Sequence, residues 1–179
     1  MSEKRVLQVN DDIILREIRL EDVETIFETI DRERSYLKKW LPFVVNTRDS
    51  SHTLKYVEGY LKYGRLDLTC TVNYKNRFVG IIGFKGTDLD NKRTEIGYWL
   101  SETFQHKGII TLSCNAMIQY AFNEMNLNRV QLKAAKGNLK SQHVAERIGF
   151  TFEGIERDGE LHSLGFVDLI VYSLLKADR

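Results

Sequence analysis

The first part of the chain shows two kinds of hydrophobic spacing. Residues 13–20, IILREIRL, largely alternate apolar and polar side chains and predict a strand. From Glu21 the spacing becomes helical and continues to Trp40, with a charged middle that indicates a break or bend. The pattern stops at Pro42, because proline disfavours helix in the residue before it. A second helix is predicted over 52–65.

The rest of the chain predicts mainly strands. Segments rich in β-forming residues lie at 68–74, 77–86, 94–101, 129–135, 150–157 and 166–176. Only Lys75 and Asn76 separate the first two of these segments, which indicates a hairpin. Asp158 and Gly159 favour the start of a longer connection between the last two.

Helices complete the pattern. One is predicted over 108–124, and a short one runs from Ser141 to Gly149. Ser50 and Ser51 are predicted to cap the helix over 52–65, and Ser141 is predicted to cap the short helix.

The order of these elements, β-α-α-β-β-β-α-β-α-β-β, predicts an α/β domain with a mixed sheet. Strands 94–101 and 129–135 are joined by a helix and should form a parallel pair with a right-handed crossover. The chain has 179 residues, one proline and no linker rich in glycine and serine. We therefore expect a single domain that spans residues 1–179.

Composition and charge narrow the class of protein. Hydrophobic residues make up 42% of the chain, enough for a real core, and the formal net charge is +1. A balanced charge disfavours nucleic-acid and membrane-surface partners, although a local basic groove would still permit nucleic-acid binding. The N-terminal segment lacks an apolar signal core, and no run approaches the roughly 18 apolar residues of a membrane helix. We expect a soluble cytoplasmic protein with no membrane partner.

The cysteines and histidines do not indicate a metal site. Cys70 and Cys114 are far apart and favour reduced thiols, although their number alone would also permit one disulfide. Cys114 lies within a helical pattern, which favours a packed thiol over a nucleophile. We expect no metal, because close ligand spacing is absent among the four histidines, His52, His106, His143 and His162.

The segment FQHKGIITLSCNAM, residues 104–117, places a polar turn directly before a helix. The first N–H groups of a helix lack intrahelical partners and the helix dipole adds positive potential, so such an end suits a phosphate. Gly108 permits close backbone approach, Lys107 adds charge, and Gln105 and His106 add donors. An ordinary strand-to-helix turn explains the pattern equally well. The glycine spacings of the common nucleotide-binding loops are absent.

Longer segments resemble a known family. Residues 95–113, EIGYWLSETFQHKGIITLS, and 127–154, LNRVQLKAAKGNLKSQHVAERIGFTFEG, are similar to the acetyl-CoA site of the GNAT superfamily of N-acetyltransferases. Residues 36–44, YLKKWLPFV, resemble a segment of the Rim-type ribosomal-protein N-terminal acetyltransferases. The resemblance covers nearly the whole chain. It implies a GNAT-like α/β fold: a mixed, mostly antiparallel sheet of six to seven strands, splayed at a central parallel pair and flanked by about four helices.

The family's pyrophosphate motif, Q/R-x-x-G-x-G/A, maps onto residues 105–110 and implies acetyl-CoA as co-substrate. The implied contacts are Gln105, His106, Lys107, Gly108, Ile109 and Ile110, with Thr111 adding a hydroxyl. Ile110 departs from the small residue of the motif, which weakens the expectation of a very close backbone approach there. Backbone donation from the turn survives, because isoleucine keeps its N–H.

The resemblance also implies how the pantetheine arm and its sulphur are held. The arm would lie between the splayed strands, where its partners would be the backbone of Tyr98, Trp99 and Leu100 and the side chain of Asn138. Many relatives have a tyrosine that protonates the leaving thiolate where this chain has Ala145. In Rim-type enzymes the serine equivalent to Ser141 is proposed for that role, and a plain helix cap explains Ser141 equally well.

An ammonium acceptor must lose a proton before it attacks, so a base is needed. Glu95 is the candidate, acting through water, although a structural or substrate-binding carboxylate fits it slightly better. In this family Trp40, with Tyr36 and Leu41, would wall the acceptor cleft. Core packing is the simpler explanation for the tryptophan alone.

Together these features predict an acetyl-CoA-dependent N-acetyltransferase that acts by direct attack in a ternary complex. The expected acceptor amine is a protein N-terminus of ribosomal-protein type, with no direct contact to nucleic acid. The alternatives are a small amine, such as a polyamine or an aminoglycoside, and a non-catalytic CoA-binding sensor, since Ala145 replaces the usual tyrosine. Relatives often dimerise, so a homodimer is compatible with the sequence.

Overall fold

The computed structural model describes residues 5–64 and 66–179, which form one sheet with helices on both faces. The strands are β1 (Val6–Gln8), β2 (Ile13–Glu17), β3 (Thr69–Tyr74), β4 (Arg77–Asp88), β5 (Arg93–Leu100), β6 (Arg129–Ala135), β7 (Thr151–His162) and β8 (Gly165–Leu175). The helices are α1 (Val23–Arg32), α2 (Arg34–Leu37), α3 (Ser50–Tyr63), α4 (Ile109–Asn123) and α5 (Leu139–Ile148). Short 3-10 turns lie at Leu20–Asp22, Pro42–Val45, Glu102–Phe104 and Lys176–Asp178.

The strands are ordered β1-β2-β3-β4-β5-β6-β8-β7 across the sheet. Neighbours pair antiparallel except β5 and β6, which are parallel. Their ladder covers only Arg93–Glu95 against Arg129–Gln131 and then stops. The mixed, mostly antiparallel sheet that splays at a central parallel pair is therefore confirmed, with eight strands in place of six or seven and five helices in place of about four.

The differences in the strands have local reasons. The first strand was missed because β1 is only 3 residues long and has little apolar pattern. The prediction of a connection at Asp158 and Gly159 was wrong, because β7 continues to His162 with a register shift between Glu156 and Glu160. A β-bulge therefore absorbs the turn-forming residues.

The hairpin between β3 and β4 is confirmed. Lys75 and Asn76 have φ values of 50° and 61°, as a two-residue turn with both central residues in the left-handed region requires. Asn76 tolerates this conformation better than most residues, which explains how the turn forms without glycine.

The helical segment before Pro42 breaks as its charged middle indicated. Glu33, with φ −106° and ψ 16°, separates α1 from α2. The prediction that Ser50 and Ser51 cap the next helix was wrong, since Asp49 Oδ1 accepts the Ser51 N–H at 2.9 Å. None of the described helices is both long and apolar enough to cross a membrane.

Two hydrophobic clusters lie on opposite faces of the sheet. The larger one packs α4 and α5 against the strands through residues such as Cys114, Met117 and Ile148. The smaller one packs α1 and α3 through residues such as Ile26, Ile30 and Val57. Strand alternation sends neighbouring side chains to different clusters, so the centre of the sheet is covered on both sides.

The contact between β4 and β5 is unusually close at Gly80. A Cβ atom at this position would lie 2.2 Å from the carbonyl oxygen of Trp99. Glycine is therefore required for β4 to support the stretch of β5 that has no partner on its other side.

An ion pair ties together the three strands on one side of the splay. Arg129 on β6 donates to both carboxylate oxygens of Glu153 on β7, with Nη1 2.7 Å from Oε1, and Ser173 on β8 donates to Oε1 at 2.8 Å. The hydrogen bonds from Arg129 lower the pKa of Glu153 to about 2. The pair lies beside the short parallel ladder and fixes β6 against β8 and β7.

Glu153→Gln should lower the free energy of unfolding by about 1 kcal/mol at neutral pH, because the pair is bidentate but partly exposed. The stabilisation from an ionised Glu153 is present above the unfolded-state pKa of 4.5 and is lost as the pH falls towards 2. Urea unfolding between pH 2 and 7 measures this, with the exposed Glu58→Gln as control. An unchanged acid-side slope in Glu153→Gln would contradict the role of the pair.

Candidate active site

A cavity of about 380 Å³ opens where β5 and β6 separate. Its volume lies in the range of small-molecule sites. Residues 96–100 of β5 line one wall and residues 132–135 of β6 line the other. The start of α4, one face of α5 and the segment around Trp40 close the remaining sides. The cavity therefore occupies the gap between the two strands.

Nearly all the residues singled out from the sequence meet at this cavity. Its lining includes Tyr36, Trp40, Leu41, Glu95, Tyr98, Trp99, Leu100, Gln105, His106, Gly108, Ile109, Ile110, Thr111, Asn138 and Ser141. Lys107 is exposed and does not line it. The fold therefore brings the residues singled out from the sequence together around one cavity.

The turn before α4 presents backbone donors to the cavity. His106 and Gly108 both have positive φ, 61° and 72°, which reverses the chain between the short turn after β5 and the helix. No side chain caps the helix, and the Leu112 N–H donates to the Gly108 carbonyl oxygen at 3.0 Å. The earlier N–H groups therefore lack intrahelical partners and add to the positive end of the dipole.

Ile110 does not obstruct this turn. Its side chain is only 8% exposed and packs in the larger hydrophobic cluster. The bulk that departs from the family motif is therefore directed into the core, and the backbone N–H stays in the first helical turn.

Two positive side chains of α5 lie at the site and were missed in the sequence. Lys140 Nζ donates to Gln105 Oε1 at 2.6 Å, and Arg147 Nη1 donates to Thr111 Oγ1 at 3.0 Å. Both line the cavity. Their separation of seven residues places them on one face of a helix, which was the signal available in the sequence.

Ser141 does not cap α5, so that prediction was wrong. Asn138 is the N-cap, and its Oδ1 accepts the Ser141 N–H at 3.3 Å. The Ser141 hydroxyl is therefore available to the cavity, where it donates to the Tyr98 hydroxyl at 3.1 Å. The sequence allowed Ser141 to be either a helix cap or a catalytic acid. Because Asn138 caps α5, the Ser141 side chain is not needed for capping.

Burial sets the protonation of the groups beneath the cavity. It raises the pKa of the Tyr98 phenol well above its ordinary value, so Tyr98 stays neutral and remains a hydrogen-bond donor. It also raises the pKa of the Cys114 thiol, which is fully buried and disfavoured as a nucleophile. Among the described residues, no cluster of three or more His, Cys, Asp or Glu side chains is placed to hold a metal ion.

The opposite wall is built by the segment that follows α2. Trp40 is half-buried and borders the cavity, which favours the cleft interpretation over core packing. Gln105 donates through Nε2 to the Tyr36 hydroxyl, so this wall is tied to the turn before α4. Arg34 holds the segment by donating to the carbonyl oxygens of Val44 and Thr47, the latter at 2.6 Å.

Glu33 anchors the same wall to the end of β5. Its carboxylate accepts hydrogen bonds from the Ser101 hydroxyl and from Glu102 N–H, the latter at 2.7 Å. The side chain is 11% exposed. The break between α1 and α2 therefore has a structural use, because it places this carboxylate against the residues that follow β5.

Two carboxylates face the cavity from different strands. Glu95 on β5 forms an ion pair with Lys85, with Oε1 2.8 Å from Nζ. Glu160 on β7 also lines the cavity and lies 2.7 Å from the imidazole of His162. Glu160 was missed because the sequence predicted that β7 ends at residue 157.

Comparison with known proteins agrees with this geometry. A family model described as an acetyltransferase (GNAT) domain matches residues 12–151. YdaF of Bacillus subtilis, named provisionally as a ribosomal N-acetyltransferase, is 38% identical over 96% of this chain and 95% of its own. The ribosomal-protein-serine acetyltransferase of Escherichia coli is 26% identical over 93% and 94%.

A solved structure shows the same fold. The microcin C7 self-immunity acetyltransferase MccE, in complex with acetyl-CoA and AMP, superposes with a TM-score of 0.88 and 29% identity. The match covers 94% of each chain.

Proposed function

The chain belongs to the GNAT acetyltransferase family, and we propose that it moves the acetyl group of acetyl-CoA to the amine of a protein N-terminus, of ribosomal-protein type. The observation that carries the proposal is the cavity between β5 and β6, closed at one end by the uncapped start of α4. The names of the Bacillus and Escherichia relatives support the acceptor class. The acetyl-CoA bound to MccE supports the co-substrate.

In this proposal the pyrophosphate of acetyl-CoA binds the free N–H groups at the start of α4. Backbone amides of Ile109, Ile110 and Thr111 are the donors, as the helix geometry requires. Lys140 and Arg147 supply charge that a phosphate can attract away from their present partners, Gln105 and Thr111. His106 and Lys107 lie in the same turn, and the exposed Lys107 ammonium adds positive charge at its outer edge.

The pantetheine arm would lie in the splay and take the place of the missing strand pairing. Its amides can bond the backbone of Tyr98 to Leu100, which has no partner strand on the β6 side. A backbone N–H near Leu100 would then polarise the thioester carbonyl as the oxygen gains charge. Asn138, already engaged as a helix cap, would contribute through its remaining hydrogen-bonding groups.

Ser141 is the proposed acid for the leaving thiolate. Ala145, at the position of the usual tyrosine, is fully buried, so that position offers no group to the reaction. The Ser141 hydroxyl lies at the cavity and is held by Tyr98 at 3.1 Å. Direct attack of the amine on the thioester in a ternary complex then needs no covalent enzyme intermediate.

The acceptor would enter between Trp40, Tyr36 and Leu41 on one side and the end of β5 on the other. Glu95 lies on that strand with its carboxylate already shared with Lys85. Because of this sharing, we propose that Glu95 orients the acceptor ammonium, the second of the two roles that the sequence allowed.

We also propose that the protein acts in the cytoplasm, on the ground that Cys70 and Cys114 are free and buried. The homodimer stays a prediction. Exposed apolar side chains on the edge formed by β7 and β8 would provide a face for it, among them Phe152, Ile155, Leu161 and Phe166.

A panel of acceptors tests the proposed function. Short peptides with a free N-terminal serine or alanine should release CoA from acetyl-CoA, whereas the same peptides with a blocked N-terminus should not, because only the α-amine can attack. CoA release and mass spectrometry of the product are the measurements. Turnover of spermidine without the peptides would favour the small-amine alternative, and binding of acetyl-CoA with no turnover of any acceptor would favour the sensor.

Ser141→Ala should lower kcat for the peptide by about 100-fold or more, because a positioned acid contributes on that order. KM for acetyl-CoA should change little, since the hydroxyl acts on the leaving sulphur. Steady-state kinetics measures both, with the exposed Ser51→Ala as a matched control. An unchanged kcat in Ser141→Ala would remove the acid role.

A further inference from the structure

A second cavity lies beside the active cavity. Its volume of about 490 Å³ is in the range of small-molecule sites. Trp40 and Ala135 border both cavities, so the two spaces share a wall. The other residues that line the second cavity are Lys39, Lys136, Gly137, His162, Phe166, Val167 and Asp168. An acceptor whose amine lies in the active cavity would therefore continue into the second cavity past Trp40.

The backbone after β6 leaves room beside this tryptophan. A Cβ atom at Gly137 would lie 3.7 Å from Cζ3 of the Trp40 ring, in van der Waals contact. Glycine therefore brings the chain close to the ring without placing a side chain in the second cavity. An extended peptide advances about 3.3 to 3.6 Å per residue, so three residues span about 10 Å. The first few residues after the amine are therefore the ones that enter this cavity.

The charges that line the second cavity are unequal. Lys136 and Asp168 lie 3.4 Å apart and largely compensate each other. His162 lies 2.7 Å from a carboxylate oxygen of Glu160. Lys39 is exposed, and it has no ion-pair partner in the part of the chain that the structure describes. The cavity therefore presents one uncompensated ammonium, that of Lys39.

The turn at the end of α2 fixes the backbone at Lys39. The Lys39 N–H donates to the carbonyl oxygen of Tyr36 at 3.3 Å, and the Trp40 N–H donates to that of Leu37 at 3.0 Å. Tyr36 and Trp40 also border the proposed acceptor cleft. The same turn therefore positions the wall beside the acceptor amine and the lysine that lines the next cavity.

We propose that Lys39 makes the enzyme selective for acceptors that carry an acidic side chain at the second, third or fourth position. This inference rests on the proposed function and narrows the class of protein N-terminus on which it acts. A carboxylate in the second cavity forms a charge-assisted pair with the Lys39 ammonium, whereas a basic side chain there is repelled. Trp40, Phe166 and Val167 supply apolar surface for the methylene groups of an aspartate or a glutamate.

The same charge opposes a polyamine acceptor. Spermidine with one amine in the active cavity would direct its other ammonium groups towards the second cavity, where Lys39 repels them. A peptide carries its positive charge only at the reacting end, unless its side chains add more. The uncompensated lysine therefore favours a peptide over the small-amine alternative.

Reversal of the charge at Lys39 tests this selectivity. Pairs of peptides with a free N-terminal serine would differ only by glutamate or lysine at position two, three or four. At one or more of these positions, kcat/KM in the wild-type protein should be about five- to tenfold higher for the glutamate peptide, because attraction and repulsion each contribute severalfold at a partly exposed site. The difference should lie in KM, since Lys39 is remote from the reacting atoms. Lys39→Glu should reverse the preference, and Lys39→Met should remove most of it.

Lys38→Glu is the matched control. It makes the same change in net charge at an exposed lysine outside both cavities, and it should keep the wild-type preference. Added salt should weaken the preference in the wild-type protein, because the pair is partly exposed to solvent. Thermal unfolding of each variant checks that the substitutions leave the protein folded.

The outcomes separate this proposal from the proposed function. Equal kcat/KM for the glutamate and lysine peptides at all three positions would overturn the selectivity. A preference that Lys39→Glu retains, or that Lys38→Glu reverses to the same extent, would also overturn it, because another group or the overall charge would then be the cause. If no peptide is acetylated, the proposed function fails. Calorimetric binding of the same peptides to the CoA complex then decides whether Lys39 selects an acidic chain.

Discussion

The structure depends on the early end of the hydrogen-bonded ladder between β5 and β6. Only three residues of each strand are paired before the strands separate. Backbone groups inside a protein need partners, so a sheet that opens at its centre must be filled by something else. The cavity bordered by both strands provides the space. A ligand that is itself rich in amides can complete the interrupted pairing, and this is the physical basis of the proposed site.

The surrounding elements hold the gap between β5 and β6 open and fix the positions of its walls. Gly80 lets β4 support β5 closely, and Arg129 with Glu153 fixes β6 to its other neighbours. Glu33 and Arg34, at the break between two helices, hold the wall that contains Trp40. These polar contacts tie separate segments to one opening, so the walls of the cavity are positioned by the same framework.

Much of this arrangement could be predicted from the sequence. The features that could not be predicted have physical reasons. Strand alternation and helical spacing located all the longer elements, and the motif from Gln105 to Thr111 located the turn at one end of the cavity. The cap at Asn138 was assigned to Ser141, because both residue types cap helices and spacing does not distinguish them. Glu160 and His162 were missed because turn-forming residues before them suggested that the strand had ended. Tertiary pairing with β8 overrides that local preference and absorbs it as a bulge.

We propose that the uncapped start of α4 binds the pyrophosphate of acetyl-CoA while the splay holds its arm. Calorimetric titration of the purified protein with acetyl-CoA, and with pantetheine that lacks the phosphates, tests it most directly. The pyrophosphate should form two or more charge-assisted hydrogen bonds. Acetyl-CoA should therefore bind at least about 100-fold more tightly than pantetheine. Equal affinities, or no binding of acetyl-CoA at millimolar concentration, would mean that the turn before α4 is only a turn into a helix.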